Sequence, residues 1–294
     1  MEQLDTVQVR RAFERAASTY ARAAVVSLEV ERRMAEKLEY FRIDPRRILD
    51  AGAGAGSGAS LLRGRYPKAQ TLVLDIAPAM LRAARAGRSM LERLRGLGGA
   101  GRAHWVCADF SRLPLQSSSV SMVWSSLALA WAGEPLQALR EFHRVLAPGG
   151  ALMFSTYGPD TLRELRDAFG ASDGAPHVHA FVDMHDLGDM LVAAGFDAPV
   201  MEMEKLALTY PDVGGIARDL KFSGQTCAAS ARRRGLTTPR IWRRMTGEYE
   251  KARKGGRLPV TVEIVYGHAW VGEPRMASDG RQIVKLERRR SAAR

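Results

Sequence analysis

"AGAGAGSG", residues 51 to 58, sets glycine at 52, 54, 56 and 58 directly behind the short run Ile48-Leu49-Asp50. Glycine admits positive φ and removes the Cβ atoms that would keep a ligand off the backbone, so a glycine-dense turn after an apolar strand marks a ligand loop. The chain on either side of it sets the fold. Residues 47–50, 71–75, 103–107, 120–125 and 151–156 read as strands, and helices are predicted over much of 57–65, 77–95 and 134–146. Residues 200–208 and 260–270 add further strands. Such alternation predicts an α/β fold, a doubly wound, seven-stranded and mostly parallel sheet, preceded by two helices within 5–41. In that architecture ligands bind at the carboxyl ends of the strands, which is where the glycine loop falls.

With 294 residues, 46% of them hydrophobic and 26% charged, the chain can bury a sizeable core. The expected organisation is a helical cap over 1–45, a cofactor-binding core over 46–210, a basic helical lid insertion over 211–257, the last core strand over 258–272 and a basic tail over 273–294. Lys and Arg number 44 against 32 Asp and Glu, a net charge of +12, which favours an acidic partner. Few aromatics interleave the Arg run, Trp242 and Tyr249 among them, so nucleic acid is not expected. Cys107 and Cys227 lie far apart and suit a reducing compartment. Without a signal-type amino terminus or a run of about 18 apolar residues, no membrane partner is expected and a cytoplasmic location is. The stretch "HVHAFVDMHD" (177–186) offers metal-ligand side chains, but Asp183 reads more simply as a helix cap, and no metal is expected.

The positions flanking the loop narrow the ligand. Gly54 to Ala59 fits the loose dinucleotide form G-x-G-x-x-A, a weak signal on its own. Asp75 closes the second strand, placed to accept from ribose hydroxyls, which NAD and S-adenosylmethionine both offer. Asp109 and Phe110 follow the third strand and suit an adenine amino group and ring. "RVLAPGGALMF" (144–154) adds a helix halted at Pro148-Gly149-Gly150 and a new strand. This ordered set resembles the class I S-adenosylmethionine-dependent methyltransferases. The resemblance implies S-adenosyl-L-methionine as cofactor, with Asp50, Gly52, Gly54, Gly56, Asp75, Ile76, Asp109, Phe110 and Ser125 as cofactor-binding residues.

Further stretches, "AFERAASTY" (12–20), "SSLALAW" (125–131), "FSTYGPDTLRELRDAF" (154–169), "HVHAFVDMHDLGDML" (177–191) and "DLKFSGQT" (219–226), extend the resemblance to the malonyl-acyl-carrier-protein O-methyltransferases of biotin synthesis. Where that family tends to G-C-G-T-G, this chain reads Gly52-Ala53-Gly54-Ala55-Gly56. Ser126 and Ala130 stand where an Asn and a Gln are usual, and Gly224-Gln225-Thr226-Cys227 where a G-A-x-N/H stretch is. Mitochondrial complex I assembly factors thought to modify arginine share part of these patterns and are the alternative. The favoured resemblance implies methyl transfer to the carboxylate of a malonyl thioester on acyl carrier protein, by an enzyme acting as a monomer. A carboxylate attacking a sulfonium methyl needs no general base and no metal, only alignment. Phe13, Ala17 and Tyr20 fall at i, i+4 and i+7 on the first helix, so Tyr20 can reach the substrate. Trp131 and Tyr157 follow strands at their carboxyl ends and complete the candidate catalytic set. His177, Arg233 and Arg243 are the candidate substrate-binding residues, since Arg pairs both carboxylate oxygens and a basic surface steers an acidic carrier.

Overall fold

A computed structural model of the chain describes residues 3–88 and 102–273. Helices α1 (Thr6–Ala16), α2 (Tyr20–Ala23) and α3 (Val25–Lys37) precede the sheet. Strands β1 (Arg47–Ala51), β2 (Gln70–Asp75), β3 (Ala103–Cys107), β4 (Val120–Ser126) and β5 (Leu146–Tyr157) alternate with helices α4 (Ser57–Arg65), α5 (Pro78–Ala86) and α6 (Pro135–Val145). Helices α7 (Arg163–Gly170) and α8 (Met184–Ala193) follow, then β6 (Asp197–Tyr210), α9 (Val213–Phe222), α10 (Pro239–Glu250) and β7 (Leu258–Trp270). The predicted helix over 77–95 is shorter, and its part over 89–95 lies outside the described residues, as does the tail over 274–294.

The seven strands form one sheet in the order β3-β2-β1-β4-β5-β7-β6. β1 to β5 run parallel, and β7 inserts antiparallel between β5 and β6. Strand order reverses at β1, whose neighbours are β2 and β4, so the crevice beyond the carboxyl ends of β1 and β4 is the topological switch point. Both faces are covered. Val30 and Met34 of α3, Leu165 of α7 and Met245 of α10 pack on one face, while Leu139 and Phe142 of α6 and Leu187 and Leu191 of α8 pack on the other. Strands buried on both sides explain the near-continuous apolar runs of the sequence. Among the described residues no helix is long and apolar enough to cross a membrane.

Two local expectations are corrected. The first helix does not continue through Tyr20. It ends at Ala16, where the Thr19 hydroxyl comes within donating reach of the Ala16 and Phe222 carbonyls at 3.0 and 2.8 Å, and a hydroxyl that satisfies terminal carbonyls favours a break. Phe13, Ala17 and Tyr20 still pack together against Ala16, Ala77 and Met80. Likewise α6 stops at Val145, and Pro148-Gly149-Gly150 already belong to β5, where the pairing with β4 shifts register. Gly149 holds φ +72° and donates its N–H to the Val271 carbonyl at 2.9 Å, so the turn residues serve a strand irregularity.

Candidate active site

The loop after β1 carries positive φ at Gly52, Gly54 and Gly56. A Cβ at Gly52 would stand 2.2 Å from the Ala128 Cβ, so the chain passes too close to the turn after β4 for any side chain. Gly54 instead leaves its open side toward Tyr20, whose hydroxyl is 3.5 Å from where a Cβ would be. Asp75, at the end of β2, accepts the Gly54 N–H at 2.9 Å and the Ala77 N–H at 2.8 Å, so this carboxylate clamps the loop besides facing the crevice. Burial pushes its pKa up to about 6.

Above the loop lies a cavity of about 270 Å3. Of the residues predicted to bind cofactor, Gly52, Gly54, Asp75, Ile76, Asp109 and Phe110 line it, and Tyr20 and Trp131 close it. Bare backbone, a carboxylate at the end of β2 and a further carboxylate beside an aromatic ring match the parts of S-adenosylmethionine in chemistry and in order. Asp50, Gly56 and Ser125 do not reach this cavity. Ser125 donates to the Ala51 carbonyl at 3.0 Å and straps β4 to β1, leaving Ser126 to line the wall. Gly56 caps α4 at φ +85°, where a Cβ would meet the Ala84 Cβ at 2.7 Å.

Asp50 points beneath the loop into a buried polar nest that the sequence reading missed. Glu31 of α3 accepts from Ser57 and from the Gly58 N–H. A Cβ at Gly58 would lie 2.4 Å from Glu31 Oε1, 3.0 Å from Trp124 Nε1 and 3.3 Å from Asp50 Oδ2, which puts the three groups around one point. The Ala59 N–H donates to Asp50, while Asp50 Oδ2 and Trp124 Nε1 lack a well-formed hydrogen bond among the described residues. Burial pushes Glu31 up to about 7, and burial next to Glu31 and Asp75 raises Asp50 well above its ordinary value. Like charges this close disfavour double ionisation, so the pair carries a proton near neutral pH.

A second cavity, of about 990 Å3, runs beneath α9 and α10. It meets the first where Trp131 and Gln225 line both. Around this seam Gln225 Nε2 donates to Ser27 Oγ at 3.1 Å, and Ser27 also bonds the Tyr20 hydroxyl. The buried Tyr157 hydroxyl faces Ser27 and Gln225 without completing a hydrogen bond among the described residues. Burial pushes the Tyr20 hydroxyl up to about 12 and Tyr157 further in the same direction, so both remain protonated donors at neutral pH. Ser27 sits on α3, a different helix from that of Tyr20, so no spacing in the sequence links the two. Gln225 stands in the stretch that departs from the family pattern.

The expected substrate residues fare differently. His177 lines the second cavity, but its Nε2 is 3.0 Å from Asp173 and its ring stacks on Phe169 at 3.6 Å. Arg233 and Arg243 line neither cavity. Arg233 pairs with Asp173 at 3.7 Å and donates to the Leu236 carbonyl, and Arg243, exposed on α10, donates to the Pro239 carbonyl. Among the described residues no cluster of three His, Cys, Asp or Glu could hold a metal. Asp183 accepts the His185 N–H at 2.8 Å and caps α8.

A methyltransferase-domain family model matches residues 49–154, the span from β1 through most of β5. A malonyl-[acyl-carrier protein] O-methyltransferase of Laribacter hongkongensis is 53% identical over 285 residues, covering 96% of each chain. The chain belongs to the malonyl-[acyl-carrier protein] O-methyltransferase family. Another member, from Gallionella capsiferriformans, is 48% identical, again over 96% of each chain. The solved YcgJ protein of Bacillus subtilis superposes with a TM-score of 0.57 at 15% identity, covering 83% of this chain and 99% of that one, and shows the shared class I methyltransferase fold. As a malonyl-[acyl-carrier protein] O-methyltransferase family member, the protein is an enzyme that uses S-adenosylmethionine as methyl donor.

Proposed function

We propose that the chain esterifies the free carboxylate of a malonyl thioester carried on acyl carrier protein, an early step of biotin synthesis. The observation that carries this reading is the seam at Trp131 and Gln225, two residues shared by the walls of the cofactor cavity and of a larger, mainly apolar one beside it. Gly52, Gly54, Asp75, Ile76, Asp109 and Phe110 hold the donor. When bound, S-adenosylmethionine supplies an electrophilic methyl group on a positively charged sulfur. Tyr20, Tyr157 and Gln225 then orient the carboxylate through neutral donors, and Trp131 keeps the seam dry.

The neutrality of those donors matters. A malonyl carboxylate is already ionised near pH 7, so no base is required. A guanidinium fork would hold the full charge of the carboxylate more strongly before attack than during it, and binding that favours the ground state slows the reaction. Hydroxyl and amide donors fix direction while leaving a lone pair free for in-line attack. Opposite charges disappear as the methyl group moves, so a water-poor seam favours the reaction. Residues 1–45 act as a cap over the donor, the insertion 211–257 as a lid over the acceptor, and the arginines of the lid steer an acidic carrier toward the mouth.

The test is mass spectrometry of malonyl acyl carrier protein incubated with the enzyme and S-adenosylmethionine. A mass gain of one methyl group, removed by mild ester hydrolysis, is expected. An unchanged carrier, with methylated arginine appearing on another protein, would support the assembly-factor alternative instead.

A further inference from the structure

The second cavity holds a buried acceptor that methyl transfer leaves idle. His179 is 3% exposed and packs between Trp131, at 4.8 Å between ring centroids, and Phe181, at 4.6 Å. Its ring bonds the Ala130 backbone, while Nε2 has no hydrogen-bond partner among the described residues. A ring nitrogen bonded to a carbonyl must be the protonated one, so Nδ1 carries the hydrogen and Nε2, itself buried, keeps an unmet lone pair in a ring that forms part of the cavity wall. Burial and the charge of Arg166 hold the imidazole neutral, with its pKa down to about 4. An unmet buried acceptor is costly, so a ligand that brings an N–H to this point gains by it.

The malonyl group cannot be that ligand, because its ionised carboxylate and thioester carbonyl are acceptors only. The donor must come from the thiol side, and a pantetheine-type arm carries an amide N–H a few bonds beyond the sulfur. Trp131 touches His179 and also lines both cavities, so His179 stands one ring away from the seam, on the wall of the larger cavity. Resting on the carboxyl-methylation reading, we propose that His179 Nε2 accepts a hydrogen bond from the first amide N–H of the thioester arm. His179 is then a substrate-binding residue through which the enzyme selects amide-bearing thioesters. A charged His179 gripping the carboxylate would instead require protonating a buried ring beside Arg166.

Two small substrates separate these roles: the malonyl thioester of N-acetylcysteamine, and that of 2-acetoxyethanethiol, in which an ester oxygen replaces the N–H at equal length. The wild type is expected to favour the amide by about tenfold in kcat/KM, the scale of one hydrogen bond to a buried acceptor. In His179→Phe that preference should shrink to near unity, with the loss falling mainly on the amide substrate. Equal wild-type turnover of the two substrates overturns the proposal, as does an equal loss on both in the variant. The wild-type ratio decides alone if the variant does not fold. If neither thioester is methylated although S-adenosylmethionine binds, the methylation reading itself falls and takes this proposal with it, an outcome distinct from equal turnover.

Discussion

Gln225 Nε2 donates to Ser27 Oγ at 3.1 Å, so the insertion between β6 and β7 is tied to α3 where the two cavities meet. Ser27 in turn bonds Tyr20, so one amide governs the direction of two hydroxyls. Gln225→Ala should therefore lower kcat by about ten- to a hundredfold, as misplacing an aligned reactant does, while the dissociation constant of S-adenosylmethionine stays within about twofold. Single-turnover kinetics beside calorimetry checks both, and a variant that loses donor binding but keeps kcat would contradict the assignment.

Asp75 is expected to act on the donor instead. Its carboxylate clamps Gly54 and Ala77 and faces the cofactor cavity. Asp75→Ala removes a charged acceptor worth roughly 1.5–3 kcal/mol, or about one to two decades of S-adenosylmethionine affinity. Because burial lifts this group to about 6, affinity in the wild type should also weaken as pH falls through 6. Calorimetry from pH 8 to 5 should show that inflection, and its absence would remove Asp75 from donor binding.

The carboxyls beneath the loop make stability depend on pH. Glu31, Asp50 and Asp75 all have folded pKa values raised above their unfolded ones, so the folded state holds protons that the unfolded chain has released. Such groups stabilise fully below the unfolded values of 3.8 and 4.5, and that contribution is lost as pH rises toward about 7. Glu31 alone accounts for a loss on the order of 3 kcal/mol. The ligand-free enzyme should thus melt at higher temperature near pH 5.5 than near pH 8, and Glu31→Gln should flatten that slope. Thermal scans at several pH values measure both, and an unchanged slope in the variant would contradict the buried pair.

Glycines of similar appearance in the sequence should respond in opposite ways. Gly52→Ala must hold φ +79° and drive a methyl into the Ala128 Cβ, costing about 1–3 kcal/mol from overpacking besides the backbone strain. Gly64, inside α4 with nothing within 4 Å of its Cβ position, should gain about 0.5–1 kcal/mol as Ala. Denaturant titration of the two variants tests the contrast, and comparable stabilities would refute it.

The sheet was legible because each parallel strand carries a short apolar run, and the residues that line the first cavity at Gly52, Asp75 and Asp109 sit at strand ends. Those positions depend on local spacing, which a sequence displays directly. The seam was legible only in part. Tyr20, Trp131 and Tyr157 stand out by their place along the chain, whereas Ser27 and Gln225 join them from separated segments that only tertiary packing brings together. Glu31 was hidden for a related reason: a carboxylate on an amphipathic helix normally faces solvent, and nothing in its own neighbours says that Gly58 and Ser57 will receive it. The arginines were offered both to the substrate carboxylate and to an acidic carrier, and Arg243 stands exposed on α10, outside both cavities.

That exposure gives Arg243 a different test. Arg240, Arg243 and Arg244 all lie exposed on α10, beside Trp242 at the wall of the second cavity. An acidic carrier protein seated over this mouth would meet them, whereas malonyl-CoA brings the thioester arm without the protein surface. Arg243→Glu should raise KM for malonyl carrier several-fold and leave malonyl-CoA nearly unchanged, because reversing a rim charge acts on encounter more than on chemistry. Arg233 is a poorer probe, since its pairing with Asp173 also supports His177. Added salt should slow wild-type turnover on the carrier, as exposed charges beyond about 8 Å are screened at physiological ionic strength. The variant, having lost part of that attraction, should be less salt-sensitive than its parent. Equal losses on carrier and malonyl-CoA would mean that Arg243 acts inside the acceptor cavity, and no loss on either would leave α10 with no part in carrier docking.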